Sequence, residues 1–185
     1  MLPAEAEPGR IARGGRRLEH RRNRFAKQLS TVNNGFLQRG GWWVVGQGAL
    51  MLAVAVLGVA YHGKPNHPGL FWGGVLLLAA SAACGLAGFA VLGRNLTPFP
   101  RPHAKTELVQ SGIYRLVRHP LYVAVTGASV GWALVWHSWP ALAAALILAP
   151  FFDAKARREE LWLRQQFPGY ADYDRKVRRF IPYVY

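Results

Sequence analysis

Two short clusters hold the residue types that do chemistry. The first is Arg118-His119-Pro120-Leu121-Tyr122, and the second is Glu159-Glu160, four and five residues after Lys155. Proline suits the first turn of a helix. His119 therefore stands at the cap of a helix opening at Pro120, beside backbone N–H groups that have no partner within the helix. That setting suits an anion, or the carboxylate of a cofactor. Tyr122 lies three residues further on, on the same face and one turn deeper. Lys155 and Glu159 share a helix face at i, i+4, the spacing of a surface ion pair worth about 0–1 kcal/mol. Two adjacent carboxylates in a basic neighbourhood also suit a cationic group such as an ammonium. Taken alone, a histidine at a helix start is more often structural, and a Lys–Glu pair more often an ordinary salt bridge.

The familiar soluble motifs are missing. No G-x-G-x-x-G follows a strand, and there is no G-x-x-x-x-G-K-[ST], no H-E-x-x-H and no G-x-S-x-G. A Rossmann nucleotide fold, a P-loop NTPase, a metalloprotease and an α/β-hydrolase are all disfavoured. Cys84 is the only cysteine of the chain, which excludes an intrachain disulfide and a cysteine zinc cluster. Its ordinary role is a small packing residue. No metal site is expected.

The elements that must position these clusters are apolar. Of 185 residues, 51% are hydrophobic and only 17% charged, against roughly 25% charged in a typical soluble domain. A bilayer core about 30 Å thick needs roughly 20 apolar residues in a helix. Residues 40–63 carry no charge and open on Trp42 and Trp43, as membrane-interface aromatics do. Residues 65–93 form a second uncharged run, with small residues four apart at Ser81 and Gly85 and at Cys84 and Gly88. That spacing lets membrane helices approach closely. Residues 119–152 form a third uncharged run, too long for one span. His137-Ser138-Trp139-Pro140 is its natural turn, which predicts helices at about 121–136 and 140–160 in a hairpin. The expected fold is an all-α integral membrane protein of four transmembrane helices, with a helical cytoplasmic C-terminal region. A fifth span or re-entrant segment at 94–105 is the alternative.

Charge sets the orientation. Net charge is +14. Nine Lys and Arg precede the first apolar run, five lie in 94–118 and eight follow from Lys155, whereas the 62–68 loop has Lys64 alone and the hairpin turn has none. Cytoplasmic segments carry such an excess, so both termini and both chemical clusters are expected in the cytoplasm. This distribution accounts for the charge without nucleic acid. The basic segment 1–39, with a short helix expected over 18–29, lacks the apolar stretch of a signal peptide. It reads as a topology determinant or as a binder of anionic lipid. The division expected is 1–39 basic segment, 40–93 two membrane helices, and 94–185 the chemical region with its helical hairpin.

Taken together, Leu108-Val109-x-x-Gly112-x-Tyr114-x-x-x-Arg118-His119-Pro120-x-Tyr122 resembles the signature of the isoprenylcysteine carboxyl methyltransferase and phospholipid N-methyltransferase superfamily. So does Glu159-Glu160 followed by Leu163, Phe167, Tyr170, Tyr173, Val177 and Arg179-Phe180-Ile181-Pro182. The resemblance covers about residues 94–183. It implies an integral membrane methyltransferase using S-adenosyl-L-methionine, bound in a cytosol-facing pocket. The implied cofactor-binding positions are Thr106, Glu107, Leu108, Val109, Tyr114, His119, Pro120, Leu121, Tyr122 and Glu159, with Glu160 sharing the role. The implied catalytic residues are Lys155 and Glu159. Lys155 stands where the family has an arginine near the methyl acceptor. Lysine keeps the charge but loses the planar fork that grips a carboxylate, which puts a prenylcysteine carboxylate acceptor in doubt. The expected partners are the bilayer and a lipophilic or lipid acceptor. Its accepting atom, whether oxygen, sulfur or nitrogen, is open, and so is the oligomeric state. The alternatives are a membrane NADPH-dependent reductase of steroid or sterol type, a non-catalytic membrane scaffold and, more remotely, nucleic-acid binding through the basic segment.

Overall fold

Among the described residues, five α-helices follow from the apolar runs and their punctuation. The computed structural model describes residues 39–64, 66–99 and 107–185. The basic segment's expected helix, Thr106 and residues 100–105 of the 94–105 alternative lie outside the described residues. Helix α1 (Gly41–Ala60) opens after Gly40, whose φ of 83° is a left-handed conformation that glycine adopts freely. Helix α2 (Pro68–Leu92) opens on a proline and stops at Gly93, φ 51°. Helix α3 (Pro120–Val135) opens directly after His119, and α4 (Trp139–Gln166) directly after Ser138, whose Oγ accepts from the Ala141 N–H. The short α5 (Tyr170–Lys176) follows.

Helices α1, α2 and α4 are each long and apolar enough to cross a membrane, and α3 is apolar but shorter. The chain is an all-α membrane protein. At 1.5 Å per residue, the 20 residues of α1 span about 30 Å and the 16 of α3 about 24 Å. The 28 residues of α4 run well past the apolar layer, carrying Lys155, Glu159 and Glu160 on the same rod that begins in the hairpin turn. Segment 93–99 is not an α-helix: a 3-10 turn at Gly93–Asn95 leads into extended chain.

Lipid tails are as apolar as leucine, so close fit rather than water exclusion holds such helices together. The α2–α3 contact is built on small residues. A Cβ on Gly131 would lie 2.9 Å from the Gly74 carbonyl oxygen, and one on Gly74 2.8 Å from the Gly131 oxygen. Gly127 faces Ser81, Gly85 faces Ala124, and the Cys84 thiol reaches the Pro120 carbonyl oxygen at 3.4 Å. Helices α1 and α4 meet through Val54, Ala144, Ala145, Leu148 and Phe152. At the hairpin end, the Ser138 hydroxyl donates to the Leu57 carbonyl at 2.9 Å, tying the start of α4 to the end of α1.

The opposite end is held by charge. Glu160 is 2% exposed. Its Oε1 accepts from Arg118 Nη2 at 2.9 Å and from Arg179 Nε at 3.0 Å, and its Oε2 accepts from Arg179 Nη2 at 2.8 Å. His119 Nε2 lies 3.2 Å from the same Oε1. Arg118 Nη1 donates on to the carbonyls of Asp174 and Val177, and Arg179 Nη1 to Asp153. Backbone bonds run alongside, from Arg118 N–H to the Arg178 carbonyl and from His119 N–H to the Arg179 carbonyl. One carboxylate thereby joins the start of α3, the middle of α4 and the segment after α5.

Two outcomes follow from this packing. Gly131→Ala forces a methyl group onto backbone and lowers stability by about 1–3 kcal/mol, the usual cost of overpacking. Glu160→Gln strips the charge from a buried partner of two guanidinium groups and costs about 3–5 kcal/mol. Thermal unfolding of the detergent-solubilised protein measures both.

Candidate functional site

The start of α3 and the charged half of α4 bring the two chemical clusters together. Successive helical residues point about 100° apart, so Glu159 and Glu160 part company: Glu160 turns into the ionic knot, and Glu159 turns toward His119 and Tyr122. The Tyr122 hydroxyl donates to Glu159 Oε2 at 2.7 Å, and His119 Nδ1 lies 3.9 Å from the same oxygen. The imidazole is stacked on the Tyr122 ring with centroids 5.2 Å apart, and Tyr122 is stacked on Phe152 at 4.7 Å. An ionised carboxylate only accepts, so the contact with Glu160 assigns the N–H of His119 to Nε2. Its Nδ1 then faces Glu159. The side chain of Glu159 keeps 25% of its surface exposed, against 3% for Glu160. Of the pair, Glu159 is the one with capacity left for a ligand.

Lys155 behaves differently from the surface partner that its spacing suggests. It is 1% exposed. Its ammonium donates to Gln47 Oε1 at 2.5 Å and to the Pro98 carbonyl at 3.0 Å, and sits 5.1 Å over the Tyr122 ring. It makes no ion pair with Glu159 among the described residues. Lysine here pins α1 and segment 96–99 to α4 and backs the ring of Tyr122.

A cleft of about 90 Å³ lies beside Glu159 and opens outward. Glu107, Leu108, Val109, Tyr114, His119 and Glu159 line it, with Arg118 at one wall. Pro120 and Leu121 instead turn their side chains against Gly88 of α2. Tyr122 lines a second cavity, about 520 Å³, between α3 and α4. That cavity is walled by Val123, Pro150, Phe152, Phe180 and Ile181, with Asp153 and Tyr185 at its edge. The Tyr122 hydroxyl therefore bonds a carboxylate of the polar cleft while its ring walls the apolar cavity. Among the described residues no group of three or more His, Cys, Asp or Glu is placed to hold a metal ion.

The cleft also contains Asn95 and four residues named in the motif but not assigned to the site: Leu163, Phe167, Tyr170 and Tyr173. A local signal for two of them was present. Glu159, Leu163 and Phe167 recur every four residues and so share one helical face. Tyr173 donates to the Tyr114 carbonyl at 2.6 Å. Tyr170 is 1% exposed, yet its hydroxyl has no hydrogen-bond partner among the described residues. Burial pushes the Tyr173 hydroxyl up to about 12 and those of Tyr114 and Tyr170 higher. All three stay protonated at neutral pH. An orphaned buried O–H costs roughly 1–3 kcal/mol, and this one sits in the wall of the cleft.

That set of groups can hold a cationic and an anionic group side by side. Glu159 supplies an acceptor for a cation, and the Tyr170 hydroxyl supplies an unused donor for an anion. Aromatic rings lie beside both.

Comparison with known proteins agrees with this architecture. The chain is 33% identical over 115 residues to a nickel-cobalt-cadmium resistance protein of Alcaligenes xylosoxydans xylosoxydans, covering 60% of this chain and 54% of the relative. It is 33% identical over 96 residues to a probable protein-S-isoprenylcysteine O-methyltransferase of Oryza sativa subsp. indica, covering 50% of each. It is 29% identical over 130 residues to protein-S-isoprenylcysteine O-methyltransferase A of Arabidopsis thaliana, covering 68% of this chain and 66% of the relative. The chain thus spans about half the length of the first two. The model of the phospholipid methyltransferase family matches residues 70–169, which runs from α2 through the cleft to the start of α5. With more than half of its length matched, and with His119, Tyr122 and Glu159 inside the matched region, the chain belongs to the phospholipid methyltransferase family.

Proposed function

We propose that this chain is a methyltransferase that uses S-adenosylmethionine and a lipophilic acceptor, with its site on the cytoplasmic side of the membrane. One observation carries the reading. Tyr122 separates a polar cleft from an apolar cavity of about 520 Å³ and takes part in both, through its hydroxyl and its ring.

The bound cofactor supplies an electrophilic methyl group on a sulfonium. The chain's residues hold and orient. Glu159 would accept from the cofactor's amino group and Tyr170 would donate to its carboxylate, while His119 stacks on Tyr122, whose hydroxyl orients Glu159. Transfer needs no covalent enzyme intermediate, so placing the acceptor in line with the methyl does most of the work, an effect worth about 7–11 kcal/mol in well-oriented systems. The apolar walls of Val123, Pro150, Phe152 and Ile181 receive a hydrocarbon acceptor and exclude water. In this reading Lys155 is a positioning residue for the Tyr122 ring. The excess of Lys and Arg on one side supports the cytoplasmic placement.

Calorimetry of the detergent-purified protein with S-adenosylhomocysteine, beside NADPH, tests the reading. Micromolar binding of S-adenosylhomocysteine is expected, weakened at least about tenfold by His119→Ala and by Glu159→Gln, a loss of about 1.4 kcal/mol. NADPH binding in its place supports a reductase, and silence from both ligands supports a scaffold. Tyr170→Phe has a signature of its own. It removes a hydroxyl with no protein partner, so the thermal midpoint of the free protein holds or rises, while affinity for S-adenosylhomocysteine falls about tenfold, the cost of one lost hydrogen bond.

A further inference from the structure

The end of the bundle away from the ionic knot holds a second kind of site. Here the 61–67 connection packs against the α3–α4 turn. The Gly63 N–H donates to the Trp136 carbonyl at 3.0 Å, and a Cβ on Gly63 would lie 2.6 Å from the His137 carbonyl oxygen. His137 adopts φ 51°, rare for a residue with a side chain. Between these two segments lies a cavity of about 290 Å³.

One wall of the cavity is basic: Lys64, His67 and His137. His137 Nε2 lies 3.3 Å from the His67 carbonyl oxygen, and its Nδ1 lies 3.3 Å from that of Val135. The Lys64 ammonium has no ion-pair partner among the described residues. The described carboxylate side chains, Glu107, Asp153, Glu159, Glu160, Asp172 and Asp174, all belong to the opposite end. The positive ends of the α2 and α4 helix dipoles add to the same field. The other wall is Leu70, Leu142 and Trp139. It continues onto exposed apolar surface of the same two helices at Trp72, Leu76 and Leu146.

We propose that this cavity seats the phosphate of an anionic phospholipid from the leaflet opposite the cytoplasmic site. Lys64, His67 and His137 face the headgroup, and the acyl chains run down Leu70 and Leu142. Basic charge with no carboxylate nearby selects an anion, and an apolar wall continuous with the lipid-facing surface selects one that carries hydrocarbon. A soluble phosphate would leave that wall unused. The inference is independent of the methyl-transfer reading.

Native mass spectrometry of the full chain in detergent tests it, using phosphatidylglycerol and phosphatidylcholine of identical acyl chains. Phosphatidylglycerol is expected to bind about tenfold more tightly. That preference is expected to vanish in Lys64→Gln combined with His137→Asn, asparagine being a residue that tolerates positive φ. Lys64→Gln alone alters only an exposed side chain and should lower the preference severalfold with the thermal midpoint unchanged. Equal binding of the two lipids overturns the proposal. So does a preference that survives in both variants, which would place the anion on the basic cytoplasmic face. Displacement of phosphatidylglycerol by millimolar inorganic phosphate also overturns it, by marking a soluble anion site.

Discussion

The arrangement depends on one buried carboxylate. Removing Glu160 from water is expensive, and the cost is met because two guanidinium groups and an imidazole converge on its two oxygens. Those partners come from two distant places in the chain. Arg118 and His119 precede α3, and Arg179 follows α5. The knot therefore fixes where α3 begins relative to α4, and with that the distance from Tyr122 to Glu159. The phenol–carboxylate contact at the centre of the cleft is a consequence of the ion cluster behind it. The neighbouring glutamate is free to face a ligand because its twin is fully employed.

Lysine at position 155 illustrates the same economy. The ammonium lies in the interior, satisfied by an amide oxygen of α1 and a backbone carbonyl of segment 96–99, with an aromatic face beside it. None of its capacity is turned toward the apolar cavity. The cavity's own polar edge is Asp153 and Tyr185, and Asp153 already accepts from Arg157 and Arg179. An acceptor of the proposed kind would meet mostly hydrocarbon, a phenol ring and the ion-paired Asp153.

Much of this was legible in the sequence, for physical reasons. Uncharged runs of membrane length mark helices because a bilayer forbids unpaired backbone. Prolines at 68, 120 and 140 mark their starts. The pairing of His119 with Glu159 needed the family signature, since nothing local brings residues 40 apart into contact. The division of labour between Glu159 and Glu160 was not legible. It depends on Arg179, whose position is set by the chain reversal after α5. Nor was the burial of Lys155, because i, i+4 spacing describes an isolated helix and here a glutamine from α1 competes successfully for the ammonium. Tyr170 was visible as a motif residue, but its hydroxyl has meaning only once the cleft around it exists.

The four apolar helices make unequal demands on the membrane. Three match or exceed a hydrocarbon layer about 30 Å thick, while α3 offers 16 residues. A short span pulls the interface toward itself or leaves its ends below the level of its neighbours. The mismatch falls on the helix whose first turn carries His119 and Tyr122. A boundary drawn in to that turn lets a polar cleft and a hydrocarbon-lined cavity share one side chain without either being carried across the full depth of the bilayer. In the proposed reaction, the length of one helix would then set the depth at which a water-borne ligand and a membrane-borne one meet.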